Sequence, residues 1–409
     1  MHSKAVKISS VLETNLLEFA GLSRPLNSSS REIKKLSSAV KSISDEYVAA
    51  DESFKGNLFK KQALRNAYLV YYLPANLIKI FPILDELFSH PEISGFAGPE
   101  VSILDLGCGP GTFLLGVLEY LAAKKNLLSR DTQQINLWGI DQMAECLATA
   151  REVIKNYLQA QSFPPDIRWK LNFKTGSISS AEFPYPLLSE NKQFDLIVAG
   201  NVFAEIESAA YHTVVPVLEQ LLSPNGTLLL IDPGTRAASR NLIHLRNMLL
   251  EQTALTLYAP CLERGLCPSL DNPKDWCHQK LFWSPPEFIK AIDRHTGFTK
   301  EKGVQYTYFT FRKDGKRAAH PFCDFPREKV WRVVSYVIKS KGEERLFVCN
   351  GKERILLRRL TKNISAKNQD FSQVLRGDCV VIEGMVKREA FFEINKDSLF
   401  KATRAEIKT

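Results

Sequence analysis

The segment Asp105-Leu-Gly107-Cys-Gly109-Pro-Gly111-Thr follows an apolar run at 101–106 and opens a helical pattern at Thr112. Glycines at a strand-to-helix turn let the backbone approach a ligand where side chains would obstruct it, and the helix N-terminus lies behind them. Apolar runs at 101–106, 135–141, 167–175, 194–202 and 226–232 read as strands, and periodic segments at 112–128, 144–161, 208–222 and 239–253 read as helices between or after them. Such alternation predicts a parallel sheet covered on both faces. A further helix is expected at 285–295 with Ser284 as its N-cap, and a strand at 304–311.

The residues around the turn carry the chemistry. Asp105 stands at a strand end, where a carboxylate commonly anchors an amine, and Asp141 ends the next strand in Trp-Gly-Ile-Asp141-Gln, placed to accept bonds from both hydroxyls of a ribose. An acid two residues before the first glycine, with another closing the second strand, favours S-adenosylmethionine (SAM) over a nicotinamide or flavin dinucleotide. A pocket that has lost its ligand is the third reading. Gly176-Ser177 after the third strand and Gly200-Asn201 after the fourth complete the candidate cofactor site, which comprises Asp105, Gly107, Gly109, Gly111, Asp141, Gly176, Ser177 and Asn201. Enzymes that methylate base amino groups usually carry an (Asn/Asp)-Pro-Pro-aromatic motif after the fourth strand. Here the residues are Gly200-Asn201-Val-Phe-Ala-Glu205, and no catalytic residue is assigned. Asn201 orients an amine or starts a helix.

These patterns place an N-terminal helical region at 1–98, with periodic stretches at 31–44 and 59–88, and a Rossmann-like methyltransferase domain at 99–312. A small β-rich domain at 313–409 follows, with strands at 330–338, 346–348, 354–360 and 379–386. The fold class is therefore α/β with a helical N-terminal region and a β-rich C-terminal domain. Net charge is +9 over 409 residues, but positions 294–409 hold 26 Lys and Arg against 14 Asp and Glu, or +12, which leaves the preceding part at −3. A basic segment on a near-neutral body suggests a polyanionic partner, most simply RNA, against the alternative of a solvated charged face. Phosphate contacts are expected from Lys352, Arg354, Arg358 and Arg359. No apolar run reaches membrane-spanning length without polar or proline breaks, so no membrane partner is expected. The first residues lack the apolar core of a signal peptide.

Eight cysteines with no secretion signal argue for a reducing compartment. Cys108, Cys146 and Cys379 read as ordinary. Cys261, Cys267 and Cys277 fall within seventeen residues among Gly265, Pro268 and Pro273, a loop wrapped around a metal or cluster, since thiolates are soft ligands for zinc and iron–sulfur groups. A fourth ligand is missing locally. Cys323, Cys349 at a strand end, and His278 for a Cys₃His zinc site are the candidates. Pro260-Cys261 also resembles the nucleophile dipeptide of cytosine-C5 methylation, but the neighbouring cysteines favour ligation.

Taken together, Asn66-Ala-Tyr-Leu-Val-Tyr-Tyr-Leu-Pro-Ala-Asn, Leu104-Asp-Leu-Gly-Cys-Gly-Pro-Gly-Thr, Phe194-Asp-Leu-Ile-Val-Ala, Ile231-Asp-Pro-Gly-Thr-Arg, Asp275-Trp-Cys277-His and Trp331-Arg-Val-Val-Ser-Tyr-Val-Ile-Lys resemble the methyltransferase-like family associated with the small ribosomal subunit of bacteria and mitochondria. The resemblance covers about 31–360. It implies a Rossmann-like domain that binds SAM and an iron–sulfur cluster, 4Fe-4S, with zinc as the alternative metal. Carried over residue by residue, the cluster ligands are Cys261, Cys267, Cys277 and Cys349. It also implies action on the maturing small subunit through its rRNA, by a chain monomeric when free, in the bacterial cytoplasm or the mitochondrial matrix. An active SAM-dependent rRNA methyltransferase is the alternative function. A radical SAM enzyme is disfavoured by the wide cysteine spacing.

Overall fold

The computed structural model describes residues 6–22, 30–49, 58–93, 95–178, 191–318 and 325–403. The chain divides into two compact units, Met1–Leu229 with Lys280–Val304, and Leu230–Gln279 with Gln305–Thr409.

In the first unit the strands are β1 (Glu100–Leu106), β2 (Gln134–Asp141), β3 (Arg168–Thr175), β4 (Phe194–Gly200) and the start of β5 (Leu222–Pro233), in the order β3-β2-β1-β4-β5. β1 pairs in parallel with β2 and β4, and β2 with β3. The first residue of β1 apart, nearly every β1 and β2 side chain is buried, as a strand covered on both faces requires. Helices Thr112–Ala123, Ala144–Ala160 and Tyr211–Leu221 connect the strands. The helical patterns expected at 31–44 and 59–88 appear as Arg31–Ala49 and as Gln62–Ala67, a π-turn at Tyr68–Tyr72, Leu73–Leu77 and Ile80–Phe88, preceded by a helix the periodicity did not reveal, Ser10–Phe19. Ser9 caps that helix through Leu12 N–H. Pro74 does not break its helix, because it sits in the first turn, where its missing N–H is harmless.

Among the described residues one stretch, Gln62–Phe88, is long and apolar enough to cross a membrane, but 78% of its apolar 18-residue window is buried within the molecule, as a core segment is. The expected N-cap at Ser284 is not formed. Helix Glu287–Thr296 starts after Pro286 without a side-chain cap, and ends on Gly297 in the left-handed conformation.

The second unit contains the end of β5, helix Arg236–Gln252 capped by Thr235, and strand β6 (Thr256–Ala259) with nearly all of β8 (Val304–Arg312); the short β7 (Gln279–Leu281) between them in sequence lies mostly in the first unit. Their order is β5-β8-β6, and β8 runs antiparallel to β6. A strand between β5 and β6 that runs antiparallel to β6 distinguishes this sheet from a dinucleotide-binding one.

A second sheet follows: β9 (Val330–Val333), β10 (Ile338–Ser340), β11 (Glu343–Cys349), β12 (Arg354–Leu360), β13 (Cys379–Glu383), β14 (Val386–Lys387), β15 (Phe392–Ile394) and β16 (Leu399–Thr403). The order is β14-β15-β12-β11-β9-β13-β16, with β10 beside β11. Its inward positions, among them Trp331, Val333, Leu346, Val348, Leu357 and Phe400, form one apolar core with Phe371 of the 3-10 turn Gln369–Ser372. The segment expected as one strand at 330–338 is interrupted, and β15 and β16 arise from a tail whose short apolar runs gave no clear period.

Candidate cofactor and thiol sites

In the first unit the glycine turn is built by backbone. Gly107 has φ +65°, and a Cβ there would lie 2.3 Å from Val202 Cγ2. Gly111, at φ +81°, packs against Ile154. A Cβ on Gly109 would meet nothing within 4 Å, so that position faces open space. Gly109 N–H donates to Asp141 Oδ2 at 2.8 Å, and Met143 N–H donates to Oδ1 at 2.9 Å. Asp141 therefore braces the glycine turn with one oxygen and the turn after β2 with the other, and the lone pairs that remain are the ones free for a ligand.

Asp105 is fully buried. Its Oδ2 accepts Leu114 N–H at 3.3 Å, capping the helix that follows, while Oδ1 has no partner. Burial, reinforced by Asp141, holds its carboxyl well above the usual range, and burial raises Asp141 as well. A desolvated acceptor with a free oxygen is what an ammonium group would satisfy.

Gly176 N–H donates to Asp141 O at 3.0 Å, so the turn after β3 meets the same acid. Asn201 lies in a left-handed bend at φ +60°, with Oδ1 buried and unpartnered, and starts no helix. Sequence reasoning missed Tyr68, whose hydroxyl reaches Thr112 at the head of the helix and whose ring packs edge-on to Phe59 at 5.4 Å. It lies in the π-turn, which no periodicity announces. A separate cleft of about 850 Å³, lined by Asn15, Arg65 and Asn156 among others, does not include the glycine turn.

The second unit gathers the thiols. Cys349 closes β11, and the turn beyond it docks on the cysteine loop: a Cβ on Gly351, at φ +92°, would lie 2.8 Å from Glu263 N and Cβ. Cys349 Sγ accepts Gly351 N–H at 3.3 Å. The Cys261 thiol feels Cys267, Cys277 and Cys349, and Cys349 in turn feels Cys277 and Cys267, so the four share one electrostatic neighbourhood. Burial pushes the thiols of Cys261 and Cys277 up and that of Cys349 to about 12. Among the described residues no three Cys, His, Asp or Glu side chains stand at metal-binding geometry. Cys323 lies outside the described residues.

His278 stacks on Trp276 at 5.5 Å. Burial, with Arg376 and Arg354 nearby, lowers its pKa to about 4, and its Nδ1 is buried without a partner. Trp276 Nε1 donates to Gly234 O at 3.1 Å.

Arginines, which the sequence did not single out, hold the loop by its carbonyls. Arg240 reaches Ser269, Asn272 and Asp275 at 3.0–3.3 Å, Arg246 reaches Gly265 at 2.6 Å and Glu263 at 3.3 Å, and Arg327 reaches Leu262 at 2.6 Å. In a segment with few backbone partners these bonds satisfy carbonyls that would otherwise be stranded.

The expected phosphate contacts need one correction. Arg359 is fully buried, bonded to Glu344, Asn368 and Ser372 and lying over the Phe371 ring at 4.9 Å, so it cannot reach a phosphate. Alternation along β12 sends it inward while Arg354 and Arg358 point out. Arg358 pairs with Glu343, Arg354 lies 3.5 Å from Asp275, and Lys352 is exposed.

The strand order, the glycine turn and the antiparallel strand beside β6 define a Rossmann-like fold of the SAM-dependent methyltransferase type, carrying an additional C-terminal β-sheet. Residues 60–380 match the sequence model of the family described as mitochondrial small ribosomal subunit Rsm22, and the chain belongs to that family. No curated protein matches the chain.

Solved structures align with parts of the chain at low similarity. One is a TehB-like SAM-dependent methyltransferase from Corynebacterium glutamicum, with 17% identity over 42% of this chain and 73% of that one, at a TM-score of 0.25. A putative sarcosine dimethylglycine methyltransferase from Galdieria sulphuraria has 14% identity over 58% and 89%, at 0.32. The magnesium protoporphyrin IX methyltransferase of Synechocystis with bound SAM has 10% identity over 58% and 79%, at 0.31.

Proposed function

We propose that this chain is a SAM-binding factor that acts on the small ribosomal subunit during its maturation, through contact with its rRNA, and that it carries a cysteine-ligated iron–sulfur cluster. The observation that carries the ribosomal part is the family match over residues 60–380. The name of that family favours the mitochondrial matrix over the bacterial cytoplasm.

For SAM, the support is the open face of Gly109 between two buried acids, one with a free oxygen. Asp105 would take the amine and Asp141 the ribose, with Gly107, Gly109 and Gly111 allowing close approach and Gly176, Ser177 and Asn201 bordering the far side.

For the cluster, the support is the donor set. Four thiols from two distant segments share one neighbourhood, and thiolate sulfur is the ligand such clusters take. Cys261, Cys267, Cys277 and Cys349 would hold it, and it would supply the cross-link that the loop's few apolar residues do not. His278 is the weaker fourth ligand, because the adjacent Cys277 restricts how both could face one metal.

A second reading, methyl transfer to rRNA, is favoured by the unpartnered Oδ1 of Asn201 at the end of β4.

Gradient sedimentation with small subunits tests the account, using the full-length chain, Asp105→Ala, Gly109→Arg and Cys277→Ser. Co-migration of wild type that Cys277→Ser loses is expected. Wild type staying at the top of the gradient contradicts the ribosomal reading. Labelled methyl entering small-subunit rRNA, and lost in Asp105→Ala, decides for the enzyme.

A further inference from the structure

The second sheet places its arginines in register with Cys349. β9 pairs Arg332 with Cys349 of β11, β11 pairs Cys349 with Arg354 of β12, and β13 pairs Cys379 with Arg332. Residues directly opposite on antiparallel strands share a face with Cβ atoms about 5 Å apart. The row Arg332–Cys349–Arg354 therefore sets a guanidinium on either side of one thiol.

A third arginine arrives from another segment. Arg376 donates to His278 O at 2.8 Å, beside Cys277, and lies over the Tyr336 ring at 5.6 Å. On the other side of the loop, Arg246 is 1% exposed and near Cys261. Arg246, Arg354 and Arg376 each keep a buried Nε–H with no acceptor. Such donors are costly to bury unspent, and three of them around one group of thiols need a common explanation.

Charge supplies it. When a divalent metal binds four thiols, four protons leave and the tetrathiolate centre carries −2, and a four-cysteine iron–sulfur cluster in its resting state is likewise anionic. In a buried place that charge needs counter-charge. Among the described residues Asp275, at 3.5 Å from Arg354, is the one carboxylate paired with Arg246, Arg354 or Arg376, so most of the charge of these three is left for the centre.

We infer that Arg354 and Arg376, with Arg246 behind Cys261, form a cationic cradle that binds an anionic tetrathiolate centre through guanidinium N–H to sulfur contacts. The inference rests on the thiolate reading of Cys261, Cys267, Cys277 and Cys349 given above. In this role the arginines are positioning residues: they hold the charge of the centre, while the thiolates hold the metal.

Cobalt(II) tests this, because its thiolate charge-transfer band reports tetrathiolate binding directly. The probe is cobalt(II) alone, titrated under anaerobic conditions into the full-length chain freed of metal by a chelator and reductant. Arg354→Gln and Arg376→Gln should each weaken cobalt binding about tenfold. Arg354→Lys, which keeps the charge and loses the planar fork, should fall between Arg354→Gln and wild type. Arg358→Gln, two positions along the same face but paired with Glu343, should bind as wild type does. Lys variants with intact circular dichroism guard against a Gln variant that fails to fold. Equal affinity in wild type, Arg354→Gln and Arg376→Gln overturns the cradle and leaves the thiolate centre standing. Absence of the band in wild type overturns the thiolate reading, and the cradle with it.

Discussion

The two candidate sites prepare for charge in opposite ways. In the first unit, buried carboxylates face backbone N–H groups from a glycine turn, and one oxygen of Asp105 is left for a cation. In the second, buried thiols face guanidinium groups with donors to spare. The acids are short-range features, all within a strand, a turn and the next strand. The thiols are assembled from segments more than seventy residues apart and depend on the sheet to bring Cys349 to the loop. A site made of local backbone survives small shifts elsewhere, whereas one made of distant side chains depends on its docking contacts.

The neighbouring arginines of β12 give the largest expected effect. Arg359→Met removes a fully buried guanidinium, leaves the half-buried Glu344 with only Ser372 and Lys339, and should destabilise the second unit by about 3 kcal/mol. Arg358→Met, on the outward face, should cost about 1 kcal/mol or less, because Glu343 keeps Arg345 as a partner. Denaturant unfolding of both variants checks this. Equal losses would mean that the alternation of inward and outward side chains along β12 is wrong.

Next in size is Gly351→Ala. The residue has φ +92°, and the added methyl would press on Glu263, so about 1–3 kcal/mol should be lost. Metal binding should fall with it, because this turn seats Cys349. The comparable change at the first site, Gly109→Ala, meets open space and should cost only the strain of its φ of +50°, about 1–2 kcal/mol. It should disturb SAM binding and leave the thiols unaffected. Metal analysis and SAM-dependent thermal shift separate the two outcomes.

The smallest effect is on pH. Asp105 and Asp141 have folded pKa values above their unfolded ones, so their contribution is fully present below the unfolded carboxylate pKa and is lost as pH rises through the folded values. In the second unit burial acts on Glu344 in the same upward direction, but Arg359 and Ser372 outweigh it and the net shift is down. Its contribution is present above the unfolded pKa and is lost as pH falls through the folded one. Mild acid should therefore favour the first unit and weaken the second. Hydrogen exchange followed from pH 7 toward 4 should show protection in β1 and β2 outlasting that in β11 and β12, and the reverse order would sink this assignment.

The glycine turn and the acids beside it were legible in the sequence, because glycines, acids and apolar strands follow one another with fixed spacing and each has a local physical reason. The strands of the parallel sheet fall within a few residues of their expected places. What was hidden is what depends on distance. Tyr68 sits in a π-turn without period, Arg240 and Arg246 look like ordinary helix-surface charges until their carbonyl partners are seen, and Arg359 differs from Arg358 only by the face of a strand. Strand β6 has four residues and β15 three, too short for alternation to register. The fourth ligand had three candidates in sequence, Cys323, Cys349 and His278, and the docking of the turn at Gly351 on the cysteine loop supports the proposal of Cys349.

The central claim is that four cysteines of the second unit bind one cluster. Iron and acid-labile sulfide per chain, measured on full-length protein purified without oxygen beside Cys349→Ser, test it most directly. The account predicts iron and sulfide in equal amounts, with a brown chromophore, in wild type and their loss in the variant. Wild type without iron or sulfide, or a Cys349→Ser protein that retains both in full, would contradict it.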